Sequence, residues 1–235
     1  MNIIDIAIIL ILIVFILVGL YQGFTVSILS TASYVLSWLL AWIFYPVLAG
    51  IFKSGGVYSA ILSLSDGAQK LTSIDLSKTP IASLDATQIS TAINNAKLPA
   101  PFSTALFNNI NSAALNSQNV TTLGDYFNNT IAMVLTNILC FLIIFIIVRL
   151  IFVLIISMTR YVVKLPVLKQ TDTLLGGAFG FVRGAVFLYI LFMLVPIFLT
   201  LFPVDKIQTL VDASLLAKIF YNGNLFLGII SPMIG

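Results

Sequence analysis

The sequence predicts an all-α polytopic membrane protein with four transmembrane helices, a long extracytoplasmic insert of helices and loops, and a C-terminal amphipathic helix. Three observations predict this class. Of the 235 residues, 60% are hydrophobic and only 8% are charged, whereas about a quarter of the residues in a soluble domain are charged. The mean hydropathy is +1.13. The apolar residues gather in runs long enough to cross a bilayer, and one polar segment separates these runs into two pairs.

The first pair of predicted helices forms a transmembrane hairpin in residues 1–52. Residues 3–20 are apolar except for Asp5, and at 1.5 Å per residue they reach roughly 27 Å, close to the thickness of a hydrocarbon core. The second predicted span, residues 24–48, starts only a few residues later. The two helices are therefore expected to form a tight antiparallel hairpin.

The segment 53–130 is predicted to lie in water, outside the cytoplasmic membrane. Between residues 53 and 129, Ser, Thr, Asn and Gln supply 30 of 77 residues, and four Lys balance four Asp. Apolar residues such as Phe102 and Leu106 recur at helical spacing, which favours short amphipathic helices over complete disorder. Two alternatives remain open, namely a partly ordered loop resting on the membrane surface and a small folded cap.

The second transmembrane hairpin is predicted in residues 131–202, with spans at 131–157 and 174–202 joined by the loop 158–173. Short loops rich in Lys and Arg stay in the cytoplasm, so this loop is expected inside. Counting spans outward from it places both termini and residues 53–130 outside. The charged residues of the loop are Arg160, Lys164, Lys169 and Asp172.

The last predicted element is an interfacial amphipathic segment in residues 203–235. Its apolar residues form one stripe at helical spacing, opposite a face of charged and polar residues, which is typical of a helix lying in the membrane interface. The stripe consists of Val204, Ile207, Val211, Leu215 and Ile219.

Small residues predict close packing between the helices. On the fourth predicted span three glycines recur every four residues, so they share one face that another helix backbone can approach. A further pair with the same spacing lies at the first hairpin. Leu188, further along the fourth span, is expected to face lipid. The candidate helix-packing residues are Gly19, Gly23, Gly176, Gly180 and Gly184.

Two arginines lie within predicted spans. Arg183 follows Gly180 by three residues and therefore lies on the glycine face, and Arg149 lies at a similar depth in the third span. An arginine inside a membrane is costly and commonly marks an anion path, a lipid phosphate contact or a hydrogen bond to unwound backbone. Alternatively, each side chain extends its charge to the cytoplasmic headgroups. Arg183 and Arg149 are the candidate contacts for an anion or a lipid.

The remaining polar residues within the helices are expected to be structural. Asp5 lies in the first turn of its helix, where a carboxylate suits the N-terminus, and Asp172 and Asn137 are further structural candidates.

The chain has no His, and every acid is an Asp, so the usual groups for acid–base and metal chemistry are missing. The sequence predicts no enzyme, no catalytic residue, no cofactor and no metal site. Its few charges exclude a nucleic-acid binder, which needs a basic stripe.

Two blocks of this pattern resemble the colicin V production protein family of bacterial inner-membrane proteins. The resemblance covers the four predicted spans. It departs at Gln22, where the family pattern leads us to expect a basic residue, and in the length of the second loop. The first block is Asp5, Gly19 and Gly23-Phe24, and the second is Leu165-Pro166, Asp172, Leu175-Gly176, Gly180 and Arg183-Gly184.

The resemblance implies a multi-pass protein of the bacterial cytoplasmic membrane, needed for production or export of a peptide toxin in the founding case and for wider envelope roles elsewhere. It implies no catalytic residue. We expect an accessory or permeation protein, or alternatively a non-catalytic scaffold that presents the insert to envelope partners. Two arginines and a few hydroxyl and amide groups are too few to line a continuous polar path. We therefore expect membrane lipids as partners, together with a homo-oligomer or an envelope or secretion protein.

Overall fold

The computed structural model describes residues 2–65, 74–96, 98, 100–110, 120–159, 169–201, 205–224 and 226–227. Within these ranges the regular structure is helical, apart from one isolated bridge between Pro80 and Thr122. The all-α class predicted from hydropathy and periodicity is therefore confirmed.

The helices fall into long apolar elements and short connecting ones. In the part of the chain that the structure describes, three helical stretches are long and apolar enough to cross a membrane: Ile3–Lys53, Leu123–Ser157 and Asp172–Leu199. In chain order the described helices are α1 (Ile3–Lys53), α2 (Gly56–Leu64), α3 (Ile74–Ser77), a 3-10 turn (Ile81–Ser83), α4 (Ala86–Asn95), α5 (Ala100–Asn109), α6 (Leu123–Thr159), α7 (Lys169–Phe192), α8 (Val195–Leu201), α9 (Asp205–Asp212) and α10 (Leu215–Tyr221).

The third apolar helix begins eight residues earlier than its predicted span, at Leu123 instead of residue 131. A reciprocal cap explains the early start. The Thr122 hydroxyl accepts a hydrogen bond from the Asp125 N–H at 3.1 Å, and the Asp125 carboxylate accepts one from the Thr122 N–H at 3.1 Å. Such a capping box satisfies N–H groups that the first turn leaves without helical partners.

The other predicted borders also differ from the helix ends. The second predicted span, residues 24–48, continues to Lys53. The fourth, residues 174–202, is divided, because α7 ends at Phe192 and α8 begins at Val195. Pro196 accounts for this break, since a proline ring clashes with the carbonyl group four residues earlier. Of the predicted basic loop, residues 160–168 lie outside the described residues.

The chain divides into two compact units, which are described separately. The first consists of residues 1–45, 141–193 and 204–224, and the second of residues 46–140, 194–203 and 225–235.

Within the first unit, α1 is interrupted at Gly23. This glycine has φ 76° and ψ 175°, a conformation that only glycine adopts without strain. The Ser27 hydroxyl donates a hydrogen bond to the Gly19 carbonyl at 3.2 Å, although eight residues of straight helix would separate these positions by about 12 Å. The chain therefore bends back at Gly23 and divides α1 into two limbs, residues 3–22 and 24–53.

The start of the second limb is capped by Asp172 of α7. The Asp172 carboxylate accepts a hydrogen bond from the Phe24 N–H at 2.9 Å, and this N–H belongs to the first turn of the limb, where it has no helical partner. A Cβ atom on Gly23 would lie 2.2 Å from the Asp172 Oδ2 atom. The positive φ therefore favours a glycine at the bend, and the Asp172 carboxylate caps the limb that follows it.

The first limb of α1 and α7 pack with their backbones in contact. A Cβ atom on Gly19 would lie 2.3 Å from the Gly176 carbonyl oxygen, and one on Gly180 would lie 2.4 Å from the carbonyl oxygen of Phe15. Gly19 faces Gly176, whereas Phe15, which is earlier on α1, faces Gly180, which is later on α7. The two helices are therefore antiparallel. Gly184, with a Cβ position 3.0 Å from the Phe15 Cβ atom, extends the same contact.

Leu188 does not face lipid, and this expectation is wrong. The side chain is fully buried, with 0% exposed. It follows Gly184 by four residues and therefore continues the face that already carries the glycines. The contact face of α7 is thus longer than the glycine spacing alone indicates.

In the C-terminal segment, residues 205–221 form two short helices instead of one continuous amphipathic helix. The Ser214 hydroxyl accepts a hydrogen bond from the Ala217 N–H at 3.0 Å and caps α10. Because α9 ends at Asp212 and α10 begins at Leu215, the apolar residues of the expected stripe do not share one continuous helix face. Val211 is buried, whereas Leu215 and Ile219 are exposed. The other stripe positions, Val204 and the Ile207 side chain, lie outside the described residues.

Asp5 connects the start of α1 to this C-terminal segment. Its carboxylate accepts a hydrogen bond from the Asn2 N–H at 2.8 Å, which fits its expected position at the helix N-terminus. It also accepts hydrogen bonds from the Ser214 hydroxyl at 2.6 Å and from the Leu216 N–H at 3.0 Å. The Asn2 amide adds a bond to the Leu210 carbonyl at 2.7 Å. One carboxylate thus serves the N-termini of two helices.

In the second unit, part of the predicted insert packs around a hydrophobic core. Helices α4, α5 and the start of α6 supply the buried side chains, and the Tyr126 hydroxyl donates to the Leu106 carbonyl. The buried core residues are Ile89, Ala92, Ile93, Leu106, Leu123, Tyr126 and Phe127.

Replacing Gly180 by Ala is expected to destabilise the protein by about 1–3 kcal/mol, because the added carbon meets backbone that cannot move without separating the helices. Gly177→Ala is the matched control, since its Cβ position meets the Leu20 side chain, with Cδ2 at 2.6 Å, and that side chain can rotate away. Thermal unfolding in detergent measures both. Equal melting temperatures for the two variants would contradict the backbone contact.

Replacing Asp5 by Ala is expected to release the C-terminal segment, because two N–H groups and one hydroxyl lose their acceptor, at about 1–3 kcal/mol for each buried group. Limited proteolysis with mass mapping should show faster cleavage within residues 205–224. Asp85→Ala, which removes the cap of α4 in the second unit, is the control. Cleavage of that segment at the same rate in both variants would count against the connection.

Candidate functional site

Arg183 lies on α7 among the glycines and is nearly fully buried, with 5% exposed. Its Nη1 group donates hydrogen bonds to the Ser30 hydroxyl at 2.9 Å and to the Gln22 side-chain oxygen at 3.2 Å. Its guanidinium carbon lies 5.4 Å from the centre of the Phe15 ring. The guanidinium group therefore points into the bend of α1, between its two limbs.

Arg149 approaches the same limb of α1 from α6. Its Nη1 group donates a hydrogen bond to the Ser33 hydroxyl at 2.6 Å, and its guanidinium carbon lies 4.0 Å from the centre of the Tyr34 ring. The Ser33 hydroxyl in turn donates to the Ser30 carbonyl at 2.6 Å. The serine is therefore fixed on both sides, and the arginine is held by a hydroxyl and a ring face.

The structure brings both arginines to one open groove of about 330 Å³, which we call the arginine groove. A smaller neighbouring cavity of about 190 Å³ shares Ser30, Arg149 and Val153 with it. The lining of the arginine groove combines polar side chains with exposed valines. The arginine groove is lined by Val14, Phe15, Val18, Gln22, Ser30, Tyr34, Arg149, Val153 and Arg183.

The electrostatics of the groove favour an anion. Two guanidinium groups line it, and no carboxylate side chain is among its described lining residues. Ser30 and Ser33 are about one helical turn apart, which corresponds to roughly 5–6 Å between Cβ atoms, so the two positive charges are held close together. Arginine remains charged at any relevant pH, and its planar fork of N–H donors matches carboxylate and phosphate oxygens.

The other candidate residues lie outside the arginine groove. Asp5 binds the C-terminal segment, and Asp172 caps the second limb of α1, 11 residues or about 16 Å along the helix from Arg183. Asn137 is buried in the second unit, with 2% exposed. The packing glycines position the groove without lining it.

Sequence reasoning missed the role of Gln22. It was noted only as a departure from the family pattern, yet its side-chain oxygen accepts the hydrogen bond from Arg183. A basic residue at this position would place a third positive charge against the two arginines. A neutral amide at this position, directly before Gly23, is the sequence feature that could have indicated a hydrogen-bond partner for an arginine. No spacing in the sequence connects Ser30 or Tyr34 with the two arginines.

The groove offers binding groups instead of reactive ones. Guanidinium, hydroxyl and amide groups can hold and orient an anion, but none of them is a ready proton acceptor or nucleophile without an activating base. Among the described residues, no group of three or more His, Cys, Asp or Glu side chains is placed to hold a metal ion.

Comparison with known proteins identifies the family. The sequence model described as "Colicin V production protein" matches residues 4–76 and 105–224, which is most of the chain. The match leaves out residues 77–104, within the predicted insert. No curated protein and no solved structure matches the chain. The three apolar helices agree with a membrane protein. The chain belongs to the colicin V production protein family.

Proposed function

We propose that this protein is a multi-pass accessory or permeation protein of the bacterial cytoplasmic membrane, acting in toxin production or export or in envelope homeostasis. Membership of the colicin V production protein family supports a role in toxin production or the envelope. The arginine groove is the single observation that supports binding of an anionic group, because two guanidinium groups line one open groove and their planar N–H donors match anionic oxygens. In this proposal the protein binds an anionic group and performs no chemistry on it.

The bend at Gly23 supports four membrane crossings instead of three. The first limb of α1, residues 3–22, is about 30 Å long, which matches one hydrocarbon core. The second limb, residues 24–53, is long enough for another crossing. The basic loop 158–173 would then lie in the cytoplasm under the positive-inside rule. Both termini and the segment 53–130 would lie outside.

A non-catalytic scaffold is the second candidate function, and the packed core of the second unit favours it. Helices α4, α5 and the start of α6 contribute its buried side chains, so they can present a defined surface to envelope partners. In both candidates we expect a homo-oligomer or a partner protein, since the arginine groove alone does not make a continuous polar path.

Cysteine labelling of intact cells tests the proposed topology. Ser112→Cys should react with a membrane-impermeant maleimide, whereas Thr171→Cys should react only after the cells are opened. The native cysteine, Cys140, is fully buried, so it is expected to contribute little background. Labelling of Thr171→Cys but not of Ser112→Cys in intact cells would invert the topology.

Complementation of a strain lacking the gene separates the two functions. Envelope permeability is measured as the entry of an impermeant dye, with variants at matched levels in the membrane. If the groove acts, Arg183→Lys should fail to restore the barrier, because lysine lacks the planar fork, and Leu106→Ala, which disturbs the core of the second unit, should restore it. Restoration by Arg183→Lys together with failure of Leu106→Ala would favour the scaffold.

A further inference from the structure

We propose that the arginine groove is a docking site for a transmembrane helix of another protein, and that a carboxylate on that helix pairs with Arg149. This inference rests on the proposed function, in which the same groove holds an anionic group, and it identifies that group as a side chain of a partner protein. The contacts of Arg149, its depth and the opening of the groove each support this choice.

The contacts of Arg149 leave donors for a carboxylate. Arg149 is half-buried and lines the groove. Among the described residues, its contacts are one hydrogen bond from Nη1 to the Ser33 hydroxyl and the face of the Tyr34 ring. A guanidinium group has five N–H donors in one plane, and a carboxylate can accept two of them in parallel. Arg149 can therefore form such a pair while it keeps its bond to Ser33.

The carboxylates in the first limb of α1 and in α7 are already bound elsewhere. The Asp172 carboxylate caps the second limb at Phe24, whereas Ser33 lies nine residues, or about 14 Å, further along this limb. The Asp5 carboxylate binds the C-terminal segment. These contacts favour a different protein over a second copy of this chain as the source of the carboxylate.

The depth of Arg149 favours a protein side chain over a lipid headgroup. In the proposed topology, the Gly23 bend and the end of α6 at Thr159 lie at the cytoplasmic boundary. Ser33 is about 14 Å from that bend, and Arg149 is ten residues, or about 15 Å, from Thr159. Half of a hydrocarbon core is also about 15 Å, and headgroups lie outside the core. The bond to Ser33 thus holds the charge near mid-membrane, where charged side chains of neighbouring helices pair with one another.

The opening of the groove favours a membrane helix over a soluble segment. The exposed valines of its lining are Val14 and Val18 on the first limb and Val153 on α6, with exposed fractions of 48%, 39% and 44%. All three lie on stretches long and apolar enough to cross a membrane. Val14 and Val18 are one helical turn apart and share a face. A partner helix can therefore pack its apolar side chains against this rim while its carboxylate enters the groove.

Binding of synthetic transmembrane helices to the purified full-length protein in phosphatidylcholine vesicles tests the proposal. The probe is a tryptophan-free helix of Leu and Ala, about 20 residues long, with one Glu at its centre, and the matched probe has Gln there. Energy transfer from Trp38 and Trp42, the two tryptophans of the chain, to a dye on the helix measures binding. We expect the Glu helix to bind at least about tenfold more tightly than the Gln helix. A helix with Glu in its last turn should lose this advantage, because its carboxylate lies too far from mid-membrane.

Three variants connect this binding to the groove. In Arg149→Gln, the Glu and Gln helices should bind with equal affinity. Lys218→Gln is the matched control, because it removes an exposed positive charge on α10, and it should retain the preference for Glu. Should Arg149→Gln fail to fold, Val18→Phe retains the arginine, fills the mouth of the groove and should still lower the affinity for the Glu helix several-fold.

Several results would overturn the proposal. Equal binding of the Glu and Gln helices to the native protein would remove the pairing with a carboxylate. Equal losses in Lys218→Gln and Arg149→Gln would reduce the effect to general attraction by a basic protein. If phosphatidylglycerol in the vesicles displaces the Glu helix at an equal mole fraction, the groove is a site for an anionic lipid and the docking proposal fails.

The complementation assay distinguishes failure of this proposal from failure of the proposed function. If the Glu helix does not bind while Arg183→Lys still fails in cells, the docking proposal fails and the proposed function survives with another anion. If the Glu helix binds through Arg149 while Arg183→Lys restores the barrier, the docking site stands and the proposed function fails.

Discussion

The contact between the backbones of Gly19 and Gly176 determines where the polar groups of the first unit can meet. A Cβ atom on either glycine would lie 2.3–2.4 Å from the carbonyl oxygen of the other, so the two helices are as close as their backbones allow. At this separation Arg183 reaches Gln22 at 3.2 Å and Ser30 at 2.9 Å. Because hydrogen bonds weaken over a few tenths of an ångström, a wider helix pair would leave the buried guanidinium group without these partners.

Much of this arrangement follows from short-range sequence patterns, and the rest depends on contacts distant in sequence. Hydropathy predicted the helical class, and the spacing between Gly180 and Arg183 placed the arginine on the packing face. The sequence pattern could not identify Ser33 as the partner of Arg149. The same limb carries several serines, and only the packing of α6 against it determines which one the arginine reaches. Hydropathy also overlooked the cap at Thr122, since the first turns of that helix are polar. Leu188 was assigned to lipid because its apolar side chain suits both lipid and a helix contact.

The arginine groove combines features that conflict in a protein optimised only for stability. Removing charged groups from water costs several kcal/mol for each ion, and a neutral hydrogen-bond partner recovers only part of that cost. Apolar residues of similar volume would often stabilise such an interior at least as well. An anion bound in the groove would add attraction to both guanidinium groups, so stability and ligand binding would be coupled. Gln22 is consistent with this coupling, because it accepts a hydrogen bond without adding a competing negative charge.

The hydrogen bond between Asp5 and Ser214 also has a consequence for biosynthesis. These residues are 209 positions apart, and translation proceeds at about 5–20 residues per second. The Asp5 carboxylate is therefore synthesised about 10–40 s before its partner. During this interval the carboxylate lacks its hydrogen bonds to Ser214 and Leu216, and water, lipid headgroups or another protein can solvate it instead. Insertion of that helix and completion of the fold are thus separate events in time, and a factor that shields Asp5 during the interval would act on the nascent chain alone.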